Sequence, residues 1–242
     1  MTKVAVSGAA GRMGSLCCDA VDSASDLDLV GRFAPGHGFD DSGQLKAADV
    51  VVEFGPASTA LENVERWHSF GTHVVVGSSG FDRRQLDNLQ RTWGEGPGRC
   101  LVVPNFSIGA VLMMWLAEKA SSYFSAAEVV ELHHDRKADA PSGTALATAE
   151  RMRPNGARAV ESTELVPGAR GAEVGGVWVH SVRLPGLLAH QEVLLGNPGE
   201  TLSIRHDQSD RSAYVPGILL SIRSVGSMAH PVSVGLEGLL GL

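Results

Sequence analysis

An α/β fold is predicted, a parallel sheet wrapped by helices and joined to an α+β region with an open mixed sheet, on three observations. Short apolar runs alternate with amphipathic helical patterns over residues 1–106. A glycine-rich turn, GAAGRMG, follows the first apolar run. Beyond residue 107 the pattern changes to period-two strands with few helices between them.

The elements follow in order. Residues 4–7 read as a buried strand, GAAGRMG as a turn, the stretch through Ala20 as a helix and 27–33 as a second strand, which together make one βαβ unit. After a polar, glycine-rich loop at 34–43, buried strands are expected at 50–54, 73–76 and 100–103, with helices at 59–70 and 82–93. Such alternation gives a parallel sheet with helices on both faces. A helix at 108–124 then precedes strands at 127–132, 177–184, 191–195 and 201–205, the last two joined by the turn sequence GNPGE. A final helix around 214–225 and short C-terminal pieces have apolar surface for either part. The domain division is drawn as 1–106 with 212–242 for one domain and 107–211 for the other.

Composition narrows the function. The chain is 43% hydrophobic and 19% charged, which is ordinary for a soluble globular protein. A net charge of -7 with no Lys/Arg cluster argues against nucleic acid, whose phosphates need clustered cations. Cys17, Cys18 and Cys100 form no C-x-x-C pair, so no disulfide framework or zinc site is expected and a reducing cytoplasm is the natural setting. No stretch approaches the roughly 20 apolar residues of a membrane span, and the apolar run at the start is too short for a signal peptide. A small-molecule partner is therefore expected.

Gly8, Gly11 and Gly14 sit between a strand and a helix, the context of a dinucleotide-binding turn. Glycines allow a tight turn and close approach of backbone to a pyrophosphate, and the helix start supplies oriented N–H groups. Arg12 adds charge there. This makes the first domain a Rossmann-like, parallel-sheet nucleotide-binding domain. An acid that would accept the adenosine ribose hydroxyls is missing after the second strand, where the sequence reads LVGRFAPGHG with no Asp or Glu before Asp40. Nothing there repels a 2′-phosphate, and Arg32 or His37 can attract one, so NADPH is expected to serve at least as well as NADH.

The segment VELHHDRKADAPSGTA, residues 130–145, holds the second set of chemical groups. Adjacent strand residues point to opposite faces, so His133 and His134 can share a site only if the strand ends there and bends. The polar run Asp135, Arg136, Lys137 supports that ending. Asp139 or Ser142 is placed to cap the helix that follows, leaving the first-turn amides of Gly143 and Thr144 for an anion such as a carboxylate. Lys137 adds a positive charge and the histidines exchange protons near neutral pH. The His-His spacing is not that of a helical metal pair, so no metal is expected. His180, His190, His206 and Arg183 fall on the second sheet and read as structural or interfacial.

GAAGRMG, VVGSSGF (75–81), VPNFSIGAVL (103–112) and ELHHDRKADAPSGTA (131–145) together resemble the dihydrodipicolinate reductase family, also named for 4-hydroxy-tetrahydrodipicolinate, of the diaminopimelate route to lysine. The likeness runs over almost the whole chain. It implies an NAD(P)H-dependent reduction of a cyclic imine dicarboxylate. It also implies that Gly8, Ala9, Ala10, Gly11, Arg12 and Met13 hold the nucleotide phosphates. Gly77, Ser78 and Ser79 would line the nicotinamide, and Val103, Pro104, Asn105 and Phe106 would reach the cofactor. His133 would be the proton donor, Lys137 a second catalytic cation, and His134, Ser142, Gly143 and Thr144 substrate contacts. A cytoplasmic homotetramer built through the second domain's sheets is implied as well.

Three departures lie in the nucleotide half. The strand-two acid is replaced by FAP, the usual D-F-T-x-P is Glu53-Phe54-Gly55-Pro56, and Gly-Thr-Thr is Gly77-Ser78-Ser79. They leave open a paralogous reductase acting on a related cyclic imino acid. A nucleotide-sensing protein without catalysis would be expected to have lost His133 or Lys137, and both are present.

Overall fold

The computed structural model describes every residue except Ser79, Gly80, Asp82, Glu95, residues 153–159 and Glu161, with Arg83 described by its backbone alone. The chain divides into two compact units, Met1–Ile108 with Ser212–Leu242, and Gly109–Arg211. Among the described residues, no helix is long and apolar enough to cross a membrane.

The first unit is Rossmann-like. Its strands are β1 (Thr2–Ser7), β2 (Leu27–Phe33), β3 (Val50–Glu53), β4 (His73–Val76) and β5 (Cys100–Val102), with helices α1 (Arg12–Asp22), α2 (Ala57–Ser69) and α3 (Arg83–Thr92) between them. The sheet order is β11-β5-β4-β3-β1-β2, in which β11 is the short strand Val232–Val234 and every pairing is parallel. β3 and β4 are near-continuous valine runs, as expected for strands covered on both faces. α1 buries Gly14, Cys17, Cys18 and Val21, a three-four spacing that gives it one apolar stripe. Burial pushes the Cys17 and Cys100 thiols up, so both are inert packing groups. The C-terminal pieces, open in the sequence, belong to this unit: β11 lengthens the sheet next to β5 and is followed by α7 (Glu237–Leu240).

The second unit opens on α4 (Ile108–Ser121) and carries β6 (Ala126–His133), α5 (Gly143–Arg151), β7 (Ala172–Val174), β8 (Val177–Arg183), β9 (Ala189–Asn197) and β10 (Glu200–Gln208). Its five-stranded sheet has the order β10-β9-β6-β8-β7, with β6 and β8 parallel and the other pairs antiparallel. Ala127 and Val129 of β6, Val179 of β8 and Val193 and Leu195 of β9 pack with Ala117 of α4 and Ala145 and Ala149 of α5. The helices therefore cover one face of this sheet. The remaining helix, α6 (Val215–Ser224), returns to the first unit.

One buried acid organises the loop after β3. Glu53 is fully buried; its Oε2 accepts from Trp67 Nε1 at 2.7 Å, and its Oε1 accepts from the Gly55 amide at 2.6 Å. A Cβ on Gly55 would overlap that same Oε1 and sit 3.2 Å from Asn63 Nδ2. The two departures at 53 and 55 are thus one change: the extra methylene of Glu carries its carboxylate into the space that a side chain at 55 would fill.

Gly55→Thr alone should lower unfolding stability by about 1–3 kcal/mol, the usual cost of overpacking. Adding Glu53→Asp should recover most of that loss in urea denaturation. Simple addition of the two single effects would contradict the coupling.

Candidate functional site

In the first unit the glycine turn lies where the sheet's order reverses. β2 flanks β1 on one side and β3 on the other, and ligands of open α/β sheets lie beyond the carboxyl ends of strands at such a point. Gly8 has φ +75°, and a Cβ there would come within 2.5 Å of the Phe54 carbonyl group. The Gly8 and Ala9 amides both donate to Phe33 O, at 2.7 and 3.2 Å, so they hold the turn against β2. That leaves Ala10, Gly11 and Arg12 exposed at the start of α1 and Met13 half-buried behind them. Gly11 is the N-cap and no side chain caps this helix. A helix start of this kind attracts phosphate. These residues fit a dinucleotide's pyrophosphate.

The other residues assigned to the nucleotide follow the neighbouring strands. Gly77, after β4, lies against Phe54 and Phe106, whose rings are 5.6 Å apart, and any side chain there would collide with both. Ser78 spends its hydroxyl on Gly55 O at 2.8 Å. Ser79 lies outside the described residues. The Val103 amide donates to Val76 O at 2.8 Å, Asn105 Oδ1 accepts from the Ser107 amide at 2.9 Å, and Phe106 is buried while Pro104 is exposed. Arg32 Nη2 meets Asp22 Oδ2 at 3.0 Å. Both side chains are largely exposed, so the pair is worth about 0–1 kcal/mol and yields readily to another anion. The acids that follow β2 are engaged locally: Asp40 accepts from the Gly36 amide, and Asp41 caps the short 3-10 turn Ser42–Ala47.

The second unit gathers the His-His segment. β6 ends at His133, and the Lys137 amide donates to His134 O at 3.2 Å, so the chain turns directly after the strand. His134 Nδ1 is buried with no hydrogen-bond partner among the described residues. Lys137 Nζ donates to both carboxylate oxygens of Asp139 at 2.8 Å. The Lys137 ammonium beside Asp139 holds that carboxyl below its ordinary value. Of the two capping candidates the structure selects Ser142: it is buried, and its Oγ accepts from the Ala145 amide at 3.2 Å. The Ser142 hydroxyl thus serves the scaffold. Gly143 and Thr144 are the first two residues of α5, and a side chain at Gly143 would meet open space.

Two groups that sequence reasoning did not place in the site hold it together. Glu131 is fully buried on the inward face of β6, and it accepts from His133 Nδ1. Arg183, adjacent to His133 in the β6–β8 register, donates to Glu131 Oε2 from Nη1 at 3.0 Å and to Oε1 from Nη2 at 2.8 Å. The same Nη2 reaches Asp139 O at 2.6 Å, and the Ser142 amide approaches Glu131 Oε1 at 3.3 Å. Burial pushes the Glu131 carboxyl up, but the hydrogen bonds from His133 and Arg183 more than reverse this and leave it at about 2. The signal was present in the sequence: an acid two residues before His133 falls on an inward strand position, where it needs a cation.

Comparison with known proteins follows the same two-part division. The family description "Dihydrodipicolinate reductase, N-terminus" matches residues 2–106, and "Dihydrodipicolinate reductase, C-terminus" matches residues 109–240. The 4-hydroxy-tetrahydrodipicolinate reductase of Thermobifida fusca is 48% identical over 249 residues, covering 100% of both chains. That of Cutibacterium acnes is 47% identical over 252 residues, again with 100% of both covered. The solved structure of dipicolinate-bound dihydrodipicolinate reductase from Paenisporosarcina sp. TG-14 superposes with a TM-score of 0.88 at 33% identity, covering 98% of this chain and 99% of that one.

Because the folded value for Glu131 lies below its ordinary 4.5, its contribution to stability is complete above that pH and is lost as pH falls toward about 2. Urea denaturation as a function of pH should therefore show a component over that window. The double variant Glu131→Gln/Arg183→Met should lack this component; parallel stability curves for the two proteins would refute it.

Proposed function

The chain belongs to the dihydrodipicolinate reductase family, and from that premise we propose that it reduces 4-hydroxy-tetrahydrodipicolinate, by way of dihydrodipicolinate, to tetrahydrodipicolinate in the cytoplasmic diaminopimelate route to lysine. The observation that carries this reading is the cluster at the end of β6. It sets a histidine, a lysine and a helix start within one turn-and-cap segment, the groups that a small cyclic imine with two carboxylates requires.

Lys137 and the start of α5 at Gly143 and Thr144 receive a substrate carboxylate, which combines a full charge with the favourable end of the helix dipole. Asp139, now paired with Lys137, gives way to that carboxylate or shares the lysine with it. His134, whose buried Nδ1 has a hydrogen bond to offer or accept, contacts the ring. When bound, the reduced nicotinamide nucleotide supplies a hydride to the ring carbon at the far end of the conjugated alkene–imine. His133 then gives a proton to the anionic ring, a step worth about 10²–10⁴-fold in rate. Ser142 acts by holding the helix start in place.

On the nucleotide side Arg12 and the start of α1 hold the pyrophosphate. Among the described residues Asp22 is the carboxylate paired with the half-buried Arg32 of β2, and a 2′-phosphate that takes its place on Arg32 lets NADPH serve at least as well as NADH. Copies of the chain assemble through the face of the second sheet that the helices leave uncovered, where Val130, Leu132 and Leu194 stand among charged side chains. The assembly is a homotetramer, and sedimentation should return four times the 25.4 kDa chain mass. A monomer at micromolar concentration would reject the assembly.

With freshly made 4-hydroxy-tetrahydrodipicolinate, oxidation of NADPH and of NADH should both be seen, the former at least as efficient. Absence of turnover with either nucleotide by folded protein would overturn the reaction, and turnover only of a different cyclic imino acid would favour a paralogous role. His133→Ala should lower kcat by about 10²–10⁴-fold while calorimetry still detects binding of pyridine-2,6-dicarboxylate; unchanged kcat would remove His133 from the proton transfer.

A further inference from the structure

Glu131 sits where a charge is expensive. Its strand neighbours on the same face, Ala127 and Val129, belong to the hydrophobic core, and the acid itself has no access to solvent. An isolated carboxylate in that position would be costly enough to be protonated or to unfold the strand. It is retained because it is saturated with donors: His133 Nδ1, both terminal nitrogens of Arg183 and the Ser142 amide all converge on its two oxygens. Four donors are about what a carboxylate's lone pairs accommodate. Arg183 is in turn fixed by Val182 O at 2.8 Å and by Asp139 O. The carboxylate therefore lies at the junction of three parts of the site: the histidine, the loop carrying Lys137 and Asp139, and the N-cap of α5.

We propose that Glu131, clamped by Arg183, is a positioning residue that sets the ring orientation and the tautomer of His133. The inference rests on the reading of His133 as proton donor given above and adds the groups that make it one. An ionised carboxylate can only accept, so the ring nitrogen facing it must carry a hydrogen. Nδ1 is thus committed as a donor, and Nε2 is the nitrogen that exchanges protons. In the transfer, the Nε2–H bond breaks, the anionic ring gains that proton, and His133 is left neutral with its hydrogen on Nδ1, ready to be reprotonated from water at Nε2. A neutral amide at 131 removes this constraint, because it can donate to Nδ1 as easily as accept from it. Arg183 supplies the second condition: it keeps the acid ionised, so that the acid never competes with the substrate for the histidine's proton. Geometry accounts for both roles. Period two places Glu131 and His133 on one face of β6, and the parallel register puts Arg183 beside His133 on β8.

The test compares wild type, Glu131→Gln and the double variant Glu131→Gln/Arg183→Met. The double variant keeps the side-chain volume and removes the guanidinium that the single change would strand. Nitrogen-15 NMR of histidine-labelled protein, with the His133 signals assigned by their loss in His133→Ala, should show neutral His133 with its hydrogen on Nδ1 in wild type. Both variants should lose that preference. In steady-state assays kcat should fall at least about tenfold in both variants, a loss larger than any change in KM or in the affinity for pyridine-2,6-dicarboxylate. Wild-type protein that fails to turn over would sink the proposed reaction, and the NMR comparison would then judge the positioning alone. Active wild type with the hydrogen on Nε2, or a double variant that regains wild-type kcat, would overturn the role of Glu131.

Discussion

A carboxylate out of reach of water must be surrounded by donors, and the second unit is arranged around meeting that need. Glu131 takes a charge into a sheet face whose core is otherwise mostly aliphatic. Its pairing with Arg183 joins β6 to β8, its bond with His133 fixes the ring at the strand end, and its contact with the Ser142 amide ties in the helix that follows. Remove the acid and a guanidinium, an imidazole and a helix cap lose their common partner. A buried ion pair is weak as a source of net stability, since desolvation offsets much of the attraction. Its value here is geometric, because it leaves one arrangement for the groups around it.

The first unit handles a buried acid in the same way but without a cation. Glu53 is satisfied by the indole of Trp67 and the Gly55 amide, which pins the loop after β3 beside the glycine turn. Here the acid shapes backbone. Phe54, carried by that loop, presents its carbonyl to Gly8 and its ring to Gly77 and Phe106. The three departures in the nucleotide half are therefore unequal. Those at 53 and 55 compensate each other in packing, while the missing acid after β2 changes what a nucleotide would meet.

Much of the fold could be read in the sequence because its strands are short apolar runs with clear ends. The run 27–33 and the valine run 73–76 coincide with β2 and β4, and GAAGRMG opens α1 at Arg12. β11 was hidden because three residues after a proline carry too little pattern to stand out, and only pairing with β5 makes them a strand. The candidate site was legible where its residues are local: the strand end at His133, the turn to Lys137 and the cap at Ser142 all lie within one segment. Arg183 was not, because it lies 52 residues from Glu131 and reaches it only through the parallel register of two strands. Hydrogen bonding also redistributed some roles. Ser142 and Ser78 have hydroxyls suited to a ligand, and the fold spends both on its own backbone.

The site depends on Glu131 being ionised at every pH at which His133 exchanges a proton. Carbon-13 NMR of the Glu131 side-chain carboxyl, followed as the pH of the folded protein is lowered, reads that property directly. The pairing with His133 and Arg183 predicts a flat signal through the ordinary carboxylate value of 4.5, with change only toward about 2. A titration step at or above 4.5 would mean that the carboxylate is not held by its donors, and would contradict the arrangement on which the site depends.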